Sequence, residues 1–140
     1  MQKGVPQIMD ITSIKSILHY LSKEILPSRF EAAQQPEQNT IQLCFKGIKS
    51  QTWIEVSWQG DSARILKINK PEKMGAESTL SKQIRYGLKY MALISIQQDD
   101  FERVIKFEFA KKPGDEISKY LIFELMGKHS NIFYLDKRKK

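Results

Sequence analysis

The chain has 140 residues, 41% apolar and 28% charged, with a formal net charge of +7. That length fits one domain around one core, and ordinary globular composition excludes wholesale disorder. No uncharged apolar run approaches the roughly 20 residues of a transmembrane helix. Met1 to Asp10 lacks the apolar stretch of a secretory signal and the Arg- and Ser-rich character of a transit peptide. A soluble protein of the cytoplasm, or of an organelle interior if organelle-encoded, is therefore expected.

One cysteine, Cys44, excludes an internal disulfide, and with only His19 and His129 beside it no metal site is expected. Lys137, Arg138, Lys139 and Lys140 supply four of the seven net charges. Residues 137–140 thus read as a basic tail behind a domain spanning 1–136. Such a tail strengthens binding to phosphates without specifying sequence.

In chain order, Asp10, Thr12 and Ser13 offer capping oxygens before Ile14, Ile17, Leu18, Leu21 and Ile25, whose spacing puts apolar side chains on one helical face. A helix over 11–25 follows, ended by Pro27, with His19 toward its polar side. The period then changes to two. Strands are expected around 29–34, at 41–45, at 52–58 and at 63–68, joined by short turns into an antiparallel meander. Within it Cys44 reads as an ordinary packed strand residue. Trp53 and Trp58 fall on opposite faces by parity, so both sides of this sheet should meet something.

Asn69 to Ala76, with Pro71 and Gly75, reads as a loop. Ser78 then caps a second helix with Leu80, Ile84 and Leu88 as its apolar line and Lys82 and Arg85 on another face. Gly87 is expected to end that helix early. Strands follow at 91–97, 101–109, 119–126 and 131–135, with a Pro113-Gly114-Asp115 turn. Phe101, Ile105, Phe107 and Phe109 share strand parity with Arg103, which places a guanidinium in an aromatic row. A buried charge is costly without a partner, so Arg103 lies at an open strand end, pairs with an acid, or serves a ligand. The order of elements predicts an α+β fold, mainly an antiparallel β-sandwich with flanking helices.

The constellations of enzymes are missing. The seven glycines match no phosphate-binding spacing, and there is no nucleophile elbow or Cys/His pair. No catalytic residue, cofactor or small-molecule substrate is expected.

Phe101-Glu102-Arg103-Val104, followed by the run Leu121 to Ile132 with its Glu-Leu-Met-Gly-Lys-His-Ser-Asn-Ile segment, resembles the NFACT amino-terminal domain. That domain opens the RqcH-type ribosome quality-control factors, also described as fibronectin-binding protein A-like, and the cyanobacterial type is the branch this sequence looks most like. The resemblance extends from Asp10 to Leu135, taking in Ser57-Trp58 and Ile84-Arg85. It implies a fold similar to the amino-terminal β-sandwich of the formamidopyrimidine-DNA glycosylases without their chemistry, since Gln2 stands where those enzymes use an amino-terminal proline.

The resemblance also implies a role in translation: binding of tRNA and of the large ribosomal subunit, in factors that support C-terminal tailing of stalled chains. An Asp-Arg pair required in bacterial members corresponds to Glu102 and Arg103, with the acid lengthened by a methylene. Arg85 matches a basic position of the family's second helix, and Lys128 and His129 match its Gly-Lys/Arg-His-Ser-Asn loop. These five are the expected RNA-binding residues, with Lys82, Lys137, Arg138, Lys139 and Lys140 as accessory cations. The family continues into a helix-hairpin-helix, a coiled coil and a second NFACT domain, so the chain reads as a truncated member. Loss of those parts leaves a second possibility, a structural subunit of a protein complex that kept the fold and lost tRNA binding.

Overall fold

The computed structural model describes residues 11–58, 63–98, 104–125 and 131–136. Its elements run α1 (Ile11–Ile25), β1 (Ser28–Glu37), β2 (Thr40–Lys46), β3 (Gln51–Ser57), β4 (Arg64–Ile68), α2 (Thr79–Leu88), β5 (Ala92–Gln98), β6 (Val104–Ala110), β7 (Lys119–Glu124) and β8 (Asn131–Asp136). The order of elements and the α+β class are those expected from the sequence. Helical spacing brings Ile14, Leu18, Leu21 and Ile25 to one buried face of α1, which packs on β4 and β5. Each such side chain contributes about 1.5–3 kcal/mol of burial, and His19 stays exposed on the far side.

The strands form one antiparallel sheet in the order β4-β3-β2-β1-β5-β6-β7-β8. Two four-stranded meanders meet at its middle, where β1 and β5 share only the register pairs Ser28↔Leu93 and Arg29↔Ala92. Register shifts in β1 between Phe30 and Ala32, and in β5 between Leu93 and Ser95, flank this junction and bend both strands. The halves fold face to face as a result. In a flat sheet β2 and β6, three strand spacings apart, would lie roughly 14 Å from each other. Yet the Phe45 ring centroid stands 6.0 Å from Phe107 and 6.3 Å from Phe109. Phe107 meets Phe123 edge-on at 5.3 Å, and these rings are the centre of the core.

The outer face of the first meander is buried as well. Gln34, Gln42 and Glu55 run across β1, β2 and β3, with Gln34 Nε2 donating to Gln42 Oε1 (2.7 Å) and Gln42 Nε2 to Glu55 Oε1 (3.0 Å). Arg64 of β4 closes the row by donating to Glu55 Oε2 at 3.2 Å. The 69–77 loop covers one end, where Gly75, at φ 91°, donates its N–H to Gln34 Oε1. Trp53 is buried on this face and Trp58 packs against the core on the other, as their parity required. Cys44 is a buried strand residue on the same outer face, paired with Trp53.

Gly87 corrects one expectation. It does not end α2, which continues to Leu88. A methyl at this position would overlap Cζ and Oη of Tyr134 and come within 2.8 Å of its Cε1. The glycine serves the close approach of α2 to β8, a contact between positions far apart in sequence.

Candidate nucleic-acid interface

Helix α2 starts at a reciprocal cap. Ser78 Oγ accepts from the Ser81 N–H at 2.9 Å, and Ser81 Oγ accepts from the Ser78 N–H at 2.8 Å. Ile84 and Leu88 are buried beneath the helix, which packs on β1. Its opposite face is therefore presented outward.

That face carries Lys82, Arg85, Tyr86 and Lys89, followed by Tyr90. Tyr86 and Tyr90 are 74% and 72% exposed, each an apolar ring with a polar tip of the kind enriched at interfaces. Tyr90 has φ 63°, a left-handed conformation that costs a residue with a β-carbon about 1–2 kcal/mol. The Met91 N–H donates to the Leu88 carbonyl at 2.9 Å across this turn. Lys89 Nζ stands 5.2 Å from the Tyr90 ring centroid. With Phe30, Glu31 and Arg85, the residues Tyr86, Lys89 and Tyr90 line a cleft of about 370 Å³. Cations interleaved with exposed rings can hold phosphates and stack bases at once.

Arg85 and Lys82 lie together, as their i,i+3 spacing required, but both face an acid. Glu77 Oε2 accepts from Arg85 Nη1 at 2.9 Å, and Glu77 Oε1 lies 3.8 Å from Lys82 Nζ. Elsewhere Lys67 of β4 donates to Tyr20 at 3.2 Å and to Glu24 at 3.1 Å, both on α1. The Lys67 hydrogen bond, then that of Tyr20, holds the Glu24 carboxyl below its ordinary range.

Of the expected site residues, only Lys82 and Arg85 fall among the described residues. Glu102, Arg103, Lys128, His129 and Lys137 to Lys140 lie outside them. Register pairs put Val104, Glu124 and Asn131 side by side at one end of their strands. Ala110, paired with Ala92 next to the Tyr90 turn, marks the other end of β6, roughly 20 Å away. The α2 cleft thus adjoins the end of β6 remote from Val104. Sequence reasoning missed Tyr86, Lys89 and Tyr90. Their signal was two tyrosines at polar helical positions among basic neighbours, Arg85-Tyr86-Gly87-Leu88-Lys89-Tyr90.

Among the described residues no group of three or more His, Cys, Asp or Glu could hold a metal ion, and no helix is long and apolar enough to cross a membrane.

The sequence model of the family described as NFACT N-terminal and middle domains matches residues 10–140. A relative from Streptococcus pneumoniae, strain D39, named Rqc2 homolog RqcH, is 29% identical over 124 residues, covering 86% of this chain and 22% of its own length. The Rqc2 homolog RqcH of Streptococcus suis is 39% identical over 62 residues, covering 43% of this chain and 11% of the relative. The chain thus spans about a fifth or less of these curated relatives. Among solved structures, the N-terminal domain of the fibronectin-binding protein PavA from Streptococcus pneumoniae superposes with a TM-score of 0.77 at 25% identity, covering 89% of this chain and 50% of that one. The fibrinogen binding protein from Staphylococcus aureus gives 0.74 at 21% identity, over 91% and 46% of the two chains.

Proposed function

Since the chain belongs to the family of NFACT N-terminal and middle domains, akin to RqcH-type factors, we propose that it is a non-catalytic RNA-binding module acting on tRNA at the ribosome. The observation that carries this reading is the outward face of α2, where two exposed tyrosines stand among Lys82, Arg85 and Lys89. Unpaired bases stack on such rings and phosphates pair with such cations. We assign RNA contacts to Arg85, Glu102, Arg103, Lys128 and His129, supported by the family positions they correspond to, with Glu102 standing where the family has aspartate. Lys82 and the tail Lys137, Arg138, Lys139 and Lys140 add sequence-independent attraction. The domain is taken as 1–136, and the large ribosomal subunit as the second partner. Fold kinship with the glycosylase amino-terminal sandwich belongs to this same proposal, without base-excision chemistry.

One observation favours a second reading, in which the chain is a protein-interaction subunit. Glu77 already pairs with Arg85 and approaches Lys82, so these cations are matched within the protein.

Glu77→Gln separates the two. It removes the competing charge and keeps the shape, so tRNA affinity in a filter-binding assay should rise several-fold at low salt and less at high salt. Arg103→Met should leave the fold intact and weaken tRNA binding by about 1–3 kcal/mol, the worth of one charge-assisted contact. A wild-type chain that binds no tRNA, or affinities indifferent to both substitutions, would leave the protein-interaction reading.

A further inference from the structure

A second cleft, of about 390 Å³, opens at the junction of the two meanders, and Tyr90 stands in the wall of both clefts. Three separate segments, two turns and a strand, bring cations to it. Lys46 comes from the β2–β3 hairpin, closed by the Gly47 N–H donating to the Ser50 carbonyl at 2.9 Å. Lys111 and Lys112 come from the β6–β7 turn, closed by the Asp115 N–H on the Lys112 carbonyl at 3.1 Å. Arg29 adds a guanidinium from β1, already paired with Glu31 at 3.3 Å.

These lysines, like Lys89, differ from the paired cations described above. Arg64, Lys67, Lys82 and Arg85 each face a carboxylate. Among the described residues, Lys46, Lys111 and Lys112 have no acidic group within 4.0 Å, and all three are exposed. Like charges gathered from two turns repel one another unless an anion joins them.

We propose that the two clefts are one continuous track for a single-stranded RNA segment, with phosphates held by Lys46, Lys111 and Lys112 and a base stacked on Tyr90 at the point where the clefts meet. This rests on the reading of the chain as an RNA-binding module, and names the form of RNA and the residues that take it. Unpaired rather than duplex RNA follows from the rings, since bases within a helix have no free face to offer Tyr86 or Tyr90. Lys89 occupies the approach to Tyr90 at 5.2 Å, and the ring is exposed enough to take a base besides.

The test uses the whole chain and a fluorescently labelled 12-nucleotide single-stranded RNA, followed by anisotropy across a salt series. Three single-strand phosphate contacts contribute about 2 to the slope of log affinity against log salt. Lys46→Gln/Lys111→Gln/Lys112→Gln should therefore flatten that slope by about 2 and weaken binding at least tenfold at low salt. Tyr90→Asn, which tolerates the left-handed backbone, should weaken binding about five- to hundredfold, as loss of one stacked base does, with the slope unchanged. A duplex of equal length should bind more weakly than the strand. If the strand binds but the triple variant keeps its slope, or the duplex binds as tightly, this track is wrong while the RNA-binding reading stands. If the wild-type chain binds neither this strand nor tRNA, both fall.

Discussion

Alanine at Gly87 should destabilise this protein, although in most helix interiors the same change stabilises. Replacing glycine removes backbone freedom from the unfolded chain and is worth about 0.5–1 kcal/mol in a helix. Here the added methyl would overlap Cζ and Oη of Tyr134 and reach 2.8 Å from Cε1. Tyr134 is half-buried against the core, so the ring can leave only by giving up that packing. The helix cannot retreat freely either, because Lys119 Nζ donates to the Gly87 carbonyl at 2.7 Å. Overpacking of this kind costs about 1–3 kcal/mol. Set against the helix gain, the net loss is about 0.5–2 kcal/mol. Urea unfolding followed by circular dichroism measures it. In a Tyr134→Val background the obstruction is gone and valine suits a strand, so Gly87→Ala should there stabilise by about 0.5–1 kcal/mol. The reversal of sign is the diagnostic, a coupling of about 1–3 kcal/mol between residues 47 positions apart. Stabilisation by Gly87→Ala in both backgrounds would refute the close-approach argument and return Gly87 to an ordinary helical glycine.

Arg64→Met should cost about 3 kcal/mol in the same assay, because Glu55, 1% exposed, loses a cation at 3.2 Å. Adding Glu55→Gln should recover most of it, and a loss of less than 1 kcal/mol would show the pair to be dispensable. Burial, with the Glu31 charge adding to it and Lys70 opposing, pushes the Cys44 thiol up to about 11, so the folded protein holds a proton that the unfolded chain releases near pH 9. Stability should accordingly be unaffected by this group below pH 9 and fall by up to about 2–3 kcal/mol by pH 11, at 1.36 kcal/mol per pH unit. Cys44→Ala should remove that part of the alkaline slope, and an identical slope in the variant would contradict the assignment.

Local periodicity made the fold legible. The α1 positions Ile14, Leu18, Leu21 and Ile25 are buried because one helical face was apolar throughout, and β2, β3 and β6 follow runs of alternating residues. What depended on contacts across the chain was not legible. Gly87 looked like a helix stop because the ring it accommodates comes from β8. Gln42 and Glu55 occupy the parity that faces water in a one-sided sheet, yet both are buried, since this sheet is covered on both faces. The opposed parities of Trp53 and Trp58 were the one local sign of it. The clefts escaped for a similar reason. Lys46, Tyr90, Lys111 and Lys112 belong to three connections that come together only when β1 and β5 pair over two residues and the sheet folds on itself.

The parity of β6 sharpens the question of Arg103. Ile105, Phe107 and Phe109 are fully buried, while Val104, Lys106 and Glu108 are half-buried on the other face, and Lys106 lies 5.5 Å from the Tyr120 ring centroid. The alternation that singled out Arg103 therefore holds from Val104 to Phe109, and only Ala110 at the strand's end departs from it, buried on the other parity. A cation on the Lys106 face needs no special account, because its methylenes cover a ring while its charge meets water. By sequence parity Arg103 goes with Phe107 and not with Lys106, and a guanidinium of that parity does need one. The Lys46, Lys111 and Lys112 cleft adjoins the end of β6 remote from Val104, roughly 20 Å away along the strand. Under the proposed RNA-binding reading, Arg103→Met and Lys46→Gln/Lys111→Gln/Lys112→Gln should add in their effect on tRNA affinity, as independent sites do, and a departure from additivity of more than about 0.5 kcal/mol would contradict separate roles.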